Sequence, residues 1–388
     1  MAIGDVYKLR LESIAPGGDA LGRFEGKPVF VERGAPCEIV HCRIIQERNT
    51  WARAELLEII EASPVRTESI CAFYGECGGC NLQHIDYNAQ LDAKTSILTD
   101  SFLRIGGLQP PEPEVIPSHP WEYRNRMQFH CLRQSAKGYS YGYGLKGRAT
   151  GEIISINDCP IAAPAIRELL RRGGKGIVLP PEKDRFTVFC KDELMLNEGG
   201  QQKGKISLLE KEIFVDAGMF FQSNCFMLEK LVLELKKIAG NADRSLPMAD
   251  LYCGAGTYAL FLGCMFPMTI LAEENKGAVS LARENLKGMN VEFFALRDTD
   301  WQHAIFRPKQ LFGFAVVDPP RAGLAPKLAA TLAKDGPPVL AYVSCDAASL
   351  ARDSKILTNG GYRLKKLMLF DFYPQTAHIE SLAVFEKP

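Results

Sequence analysis

Residues 248–265, MADLYCGAGTYALFLGCM, carry an apolar stretch into the turn Asp250-Leu251-Tyr252-Cys253-Gly254-Ala255-Gly256-Thr257 and out again into an apolar, helix-like segment. A strand, a glycine turn and a helix in that order predict the ligand-binding edge of an open α/β sheet. Glycines let the backbone approach a ligand closely, and the first turn of the helix offers unpaired N–H groups. The same turn serves a nicotinamide cofactor as well, so it does not choose the ligand. The alternation continues downstream. MTILAEE precedes KGAVSLARENLKGM, and FGFAVVD and VLAYVSC each precede a helical run, which predicts a doubly wound α/β domain over residues 219–388. YRLKKLMLFDFYP and HIESLAVFEK close the chain as two strands with no helix between them, an expected antiparallel pair.

Upstream the texture differs. VYKLRLESIA, KPVFVERG, PCEIVHCRIIQ and WARAELLEII read as short strands, with Pro16-Gly17-Gly18 and GGDALGR as turns, and predict a small β-barrel over residues 1–62. Ser63-Pro64 opens a second region, 63–218. It begins with a cysteine-bearing loop and an amphipathic helix from Asn88 to Gly106, and continues as a β-rich segment after Pro110-Pro111-Glu112-Pro113.

Lys+Arg and Asp+Glu are equal at 46 each in the 388 residues, so global charge does not mark a nucleic-acid binder. A local patch does. Between Trp121 and Arg148, the cations Arg124, Arg126, Arg133, Lys137, Lys146 and Arg148 face one acid, Glu122, with Tyr123, Phe129, Tyr139, Tyr141 and Tyr143 interleaved. Cations for phosphates beside aromatics for unstacked bases suit single-stranded RNA; a solvated β-sheet gives the same alternation. No signal segment and no membrane-length apolar run are present, so a cytoplasmic protein, monomeric by default, is expected. Twelve cysteines in a reducing compartment point to metal or catalysis rather than disulfides. Cys71, Cys77 and Cys80 share one glycine-bearing loop, and Cys159 is the candidate fourth ligand; four thiolates suit zinc or an iron–sulfur cluster, and spacing does not choose.

Five acidic or thiol side chains fall at predicted strand ends. Glu273 and Glu274 end the strand after the glycine turn, where a carboxylate can take two ribose hydroxyls. Asp318 opens Asp318-Pro319-Pro320-Arg321 on the ligand edge, a motif for which a dehydrogenase gives no reason. Cys345, in Tyr342-Val343-Ser344-Cys345-Asp346, ends the next strand. A free cysteine is commonly buried packing. Uracil chemistry offers the alternative: a thiolate adding to C6 makes C5 nucleophilic, and a base must then remove the C5 proton. Glu380, in His378-Ile379-Glu380-Ser381, is the carboxylate placed for that task.

DLYCGAGT, VVDPPRAGL, YVSCDAASLARD and HIESLAVFEK, in that order, together with Phe220-Phe221-Gln222-Ser223-Asn224, resemble the RNA uracil-C5 methyltransferases over nearly the whole chain. The resemblance implies a Rossmann-like, S-adenosylmethionine-dependent domain with Cys345 as nucleophile and Glu380 as base. It implies Gln222, Tyr252, Thr257, Glu273 and Asp318 as cofactor contacts, Gln222 and Asp318 also lying near the base. CAFYGECGGCNLQH resembles that family's iron–sulfur loop, which implies a structural [4Fe-4S] cluster on Cys71, Cys77, Cys80 and Cys159. The barrel resembles the RNA-binding TRAM domain, and on family analogy 23S ribosomal RNA is expected as substrate ahead of transfer RNA. Many members carry proline where this chain has Ala347. A non-catalytic RNA-binding factor is the competing reading, against which the intact Cys345, Glu380 and Asp318 set argues.

Overall fold

The computed structural model describes residues 1–133, 141–148, 150–180, 182–305 and 311–387. The first region closes into a five-stranded barrel: β1 (Val6–Ile14), β2 (Ala20–Phe24), β3 (Lys27–Val31), β4 (Ile39–Glu47) and β5 (Ala52–Glu61), in the order β1-β2-β3-β5-β4. Alternating residues such as Leu9, Leu11, Val29, Val31, Val40 and Cys42 are buried, the period-two pattern of a small barrel. Strand β2 lies within the segment expected to be a turn. Its ALGRF is short and interrupted by glycine, so alternation alone does not reveal it.

The second region does not stand apart from the third. Helix α1 (Tyr87–Ser101) starts at Asp86, whose carboxylate accepts from Asn88 N, and runs on through one wider turn to Gly106. Strand β6 (Glu114–Ile116), hidden in sequence by the preceding prolines, pairs with the edge of the C-terminal sheet. Then come β7 (Arg126–Arg133), β8 (Tyr141–Lys146), β9 (Ile153–Ile154), α2 (Pro164–Arg171), β10 (Arg185–Lys191) and β11 (Leu194–Asn197), with the five strands ordered β11-β10-β7-β8-β9. A hairpin of β12 (Lys203–Leu208) and β13 (Lys211–Asp216) follows.

This sheet corrects the reading of the aromatic patch. Phe129 is fully buried and stacks on Phe186, Tyr143 packs edge-on against both, and Tyr123 is buried with its hydroxyl on Pro374 O. These rings fill a core and offer no face to a base. Arg148 is likewise spent on Asp19 and Glu32 of the barrel side. Lys137 and Tyr139 lie outside the described residues.

The third region is the expected α/β sheet. After α3 (Cys225–Gly240) come β14 (Met248–Leu251), α4 (Thr257–Leu262), β15 (Thr269–Ala272), α5 (Lys276–Asn285), β16 (Val291–Phe294), α6 (Trp301–Ala304), β17 (Phe314–Val317), α7 (Pro326–Asp335), β18 (Val339–Ser344), α8 (Ala347–Asn359), β19 (Arg363–Phe370) and β20 (Glu380–Glu386). The eight strands run β16-β15-β14-β17-β18-β20-β19-β6, with β14 to β18 parallel and β20 antiparallel to both neighbours. The terminal pair therefore sits as its sequence predicts. Among the described residues no helix is long and apolar enough to cross a membrane.

The segment between β19 and β20 is held from the second region. Lys94 Nζ donates to Asp371 Oδ1 at 2.6 Å and to Tyr373 O at 3.0 Å, while Tyr87 Oη donates to Asp371 Oδ2 at 2.9 Å. Both Lys94 and Asp371 are withdrawn from water. Burial pulls the Lys94 ammonium below its ordinary range, and the Asp371 charge opposes that pull. Removing one partner strands the other in a dry site. Lys94→Met should therefore destabilise the protein by about 3–5 kcal/mol in urea unfolding; a loss under about 1 kcal/mol, the scale of an exposed pair, would contradict the brace.

Candidate active site

Parallel strands end on one edge of a sheet, and an antiparallel strand begins there. That topology gathers the motifs: Tyr252 follows β14, Glu273 follows β15, Asp298 lies beyond β16, Asp318 follows β17, Cys345 follows β18, and Glu380 opens β20. All six line one cavity of about 640 Å³, which Gln222 also reaches from the segment before α3. Thr257 does not line it; it is the first residue of α4, half-buried beside the cavity.

The glycine turn has the expected strain. Gly254 and Gly256 adopt φ of 53° and 76°, and Tyr252, between strand and turn, sits at 61°, an unusual value for a tyrosine. Its hydroxyl donates to Asp298 Oδ2 at 3.1 Å and its ring meets Trp301 edge-on, 4.5 Å between centroids. Glu273 accepts from Gly254 N at 3.1 Å and Asn275 N at 2.8 Å, which fixes its carboxylate at the cavity rim. Gln222 Oε1 is buried without a hydrogen-bond partner, an acceptor whose desolvation a bound ligand would offset.

The inner wall is electrostatically tense. Glu380 is buried and Asp318 half-buried, and both are pushed up by loss of water, Glu380 also by the Asp318 charge. Cys345 is pushed up to about 12 by burial and by those two carboxyls, with Arg321 the opposing cation. Arg321 also donates to His378 Nδ1 at 3.2 Å; burial, Arg321 and further cations hold that imidazole down at about 4, so it stays neutral. One thiol, two carboxyls and a guanidinium around one pocket form a nucleophile and proton-transfer set.

Arg124, Asp298, Trp301, Arg321 and Tyr373 also line this cavity and were not singled out as site residues from the sequence. Asp298 had a signal, an acid just past the next strand; Trp301 and Tyr373 had none, because only the chain path brings them back.

The four cysteines of interest line a second cavity, about 430 Å³, together with Arg124, which belongs to both walls. Burial pushes all four thiols up, and neighbouring thiol charge is felt by Cys77 from Cys71, by Cys80 from Cys77 and Cys159, and by Cys159 from Cys71. Among the described residues, no group of three or more His, Cys, Asp or Glu side chains is close enough to hold a metal ion. The soft donor set is suited to iron or zinc; the side chains as placed do not converge.

Comparison with known proteins agrees with this architecture. The family described as tRNA (Uracil-5-)-methyltransferase matches residues 203–388, and the TRAM domain matches residues 2–57. An uncharacterized RNA methyltransferase of Aquifex aeolicus is 32% identical, with 98% of each chain covered. A 23S rRNA (uracil(1939)-C(5))-methyltransferase of Pseudomonas entomophila is 28% identical over 99% of this chain and 94% of its own. The fold is shared with the Pyrococcus abyssi tRNA (uracil-54, C5)-methyltransferase solved with S-adenosyl-L-homocysteine, at a TM-score of 0.76 and 22% identity, covering 98% of this chain and 100% of that one. With matched family regions at both ends and a full-length relative between them, the chain belongs to the S-adenosylmethionine-dependent RNA uracil-C5 methyltransferases.

Proposed function

We propose that this enzyme makes 5-methyluridine in 23S ribosomal RNA, with Cys345 adding to C6 of the target uracil and Glu380 removing the C5 proton. The observation that carries the reading is the convergence of Cys345, Glu380 and Asp318 on one buried wall of the cavity that also takes in the glycine turn. Residues 1–62 and 63–218 bind the RNA, residues 219–388 carry the chemistry, and the enzyme works as a cytoplasmic monomer. The substrate assignment draws on the Pseudomonas relative; transfer RNA is the alternative. Loss of 5-methyluridine from 23S RNA in a strain lacking the gene supports the first, and loss confined to transfer RNA overturns it.

Bound S-adenosylmethionine supplies an electrophilic methyl group. Gln222, Tyr252, Glu273 and Asp318 would hold it, with Thr257 beside them at the start of α4, and Gln222 and Asp318 would also face the base. Cys345 Sγ, as its thiolate, forms a bond to C6, and the electron pair displaced from the C5–C6 double bond makes C5 nucleophilic. Once C5 has taken the methyl group from the sulfonium, Glu380 accepts the C5 proton, the double bond re-forms and the C6–S bond breaks, returning the thiolate. A thiol raised this far is not a resting thiolate, so Cys345 is activated only when charge in the pocket changes.

The four-cysteine set is read as the seat of a structural [4Fe-4S] cluster, supported by its soft donors and its common cavity. It takes no part in these steps. Anaerobically purified protein should contain iron and acid-labile sulfide; zinc in their place contradicts the assignment.

Cys345→Ala should abolish methyl transfer, whereas Glu380→Gln should transfer the methyl group and then retain RNA covalently, seen as a band resistant to denaturing electrophoresis; normal turnover by Glu380→Gln would show that another group is the base. Because loss of water raises both carboxyls and the Asp318 charge raises Glu380 further, the acid limb of kcat/KM should lie above the ordinary carboxylate value of about 4. Activity that persists unchanged down to about that value would mean neither carboxyl must ionise.

A further inference from the structure

Two carboxyls share the catalytic wall, and only one has a fixed hydrogen-bond donor. Tyr258, the second residue of α4, is buried behind the cavity and does not line it. Its hydroxyl donates to Asp318 Oδ2 at 3.0 Å. Among the described residues no hydrogen bond from a side chain or backbone N–H is found on the Glu380 carboxyl, although Glu380 is buried. The phenol itself is far from ionising, being pushed well above its ordinary range by burial and by Asp318, so it remains a donor at every working pH.

We propose that Tyr258 is a positioning residue for the reaction: it aims the Asp318 carboxylate into the pocket and makes Asp318, rather than Glu380, the first of the pair to ionise. The inference rests on the reading of Asp318 and Glu380 given above. In a dry site, two neighbouring carboxyls do not both take charge easily, and a hydrogen bond to one ionised form decides the order. Asp318 charged and fixed is then an acceptor for a ring N–H and a counter-charge for a cationic cofactor, while Glu380 is left to exchange protons. Tyr258 also ties the two halves of the site together, because α4 begins at the glycine turn and Asp318 N is bonded to Leu251 O of β14 at 3.2 Å.

The groups that set the pH response come from every side. Asp250 on β14 and Glu380 on β20 are the facing acids, and Cys345 after β18 and Tyr373 before β20 feel the Asp318 charge. Arg321, on the same loop as Asp318, and Arg124 are the cations of the wall, and His378 is neutral there. None of these is changed by replacing a hydroxyl with hydrogen at residue 258.

Tyr258→Phe keeps the ring and its packing and deletes the donor. A donor to the ionised form lowers an acid's pKa, so its loss raises that of Asp318. The acid limb of kcat/KM for RNA should move to higher pH by about one unit, one strong hydrogen bond's worth, with roughly a tenfold loss at neutral pH and recovery toward wild type on the alkaline side. In an Asp318→Asn background the same change should have no further effect. A loss parallel at all pH values, no loss at all, or an undiminished effect beside Asp318→Asn would each overturn the proposal. Cys345→Ala separates the two failures: if it still methylates, the catalytic reading itself is wrong, whereas an inactive Cys345→Ala with an unshifted Tyr258→Phe profile rejects only the role of Tyr258.

Discussion

The catalytic wall depends on one buried constraint, the capture of residues 371–377 by the second region of the chain. Lys94 and Tyr87 hold Asp371, Tyr123 holds Pro374 O, and Gln90 exchanges two hydrogen bonds with Gln375, while from the third region Asn224 Nδ2 adds a bond to Phe372 O at 3.2 Å. Asn81 and Leu82, directly after Cys80, both donate to Gln375 O, and Asn81 Oδ1 accepts from Ala377 N at 2.8 Å. A hairpin connection would ordinarily be a mobile surface loop. Here almost every polar group of the connection is spoken for, and three residues beyond Ala377 the chain delivers Glu380 to the pocket. The cysteine loop is thus mechanically joined to the catalytic segment, while Asn81 Nδ2 reaches Gly17 O of the barrel as well.

That constraint makes an energetically unfavourable site tolerable. Glu380, Asp318 and Cys345 lie close together, the Asp318 charge raising the proton affinity of Glu380 and both carboxyls raising that of Cys345. Left to a flexible scaffold, they would turn toward solvent. The rigid sheet edge on one side and the braced segment on the other leave no such escape. Stored electrostatic strain of this kind is relieved only by ligands that bring positive charge or hydrogen-bond donors, which suits a sulfonium cofactor and a base bearing a ring N–H.

The sequence was most legible where function and topology coincide. DLYCGAGT, VVDPP, YVSC and HIES each sit at a strand terminus, so a correct strand reading placed Tyr252, Asp318, Cys345 and Glu380 on one edge. Thr257, carried over by motif position, lies beside the cavity instead of on it, as the first residue of α4. Burial was poorly legible. Phe129 and Tyr143 alternate as a half-exposed strand would, yet the neighbouring strand β10 sets Phe186 beside them and all three join one core with Ile166, Leu169 and Leu170 of α2. Strand β6 was masked by prolines that end a helix and say nothing of pairing. Tyr258 had no signal because its partner is 60 residues away and only the parallel register brings β17 beside β14.

The central claim is that Cys345 bonds covalently to the target base and that proton removal at C5 releases it. An RNA substrate with 5-fluorouridine at the target position tests it directly, because fluorine on C5 cannot leave as a proton. Incubation with S-adenosylmethionine should yield a stable methylated adduct whose peptide map places the RNA on Cys345. An adduct on any other cysteine, or full turnover with no adduct, would contradict it.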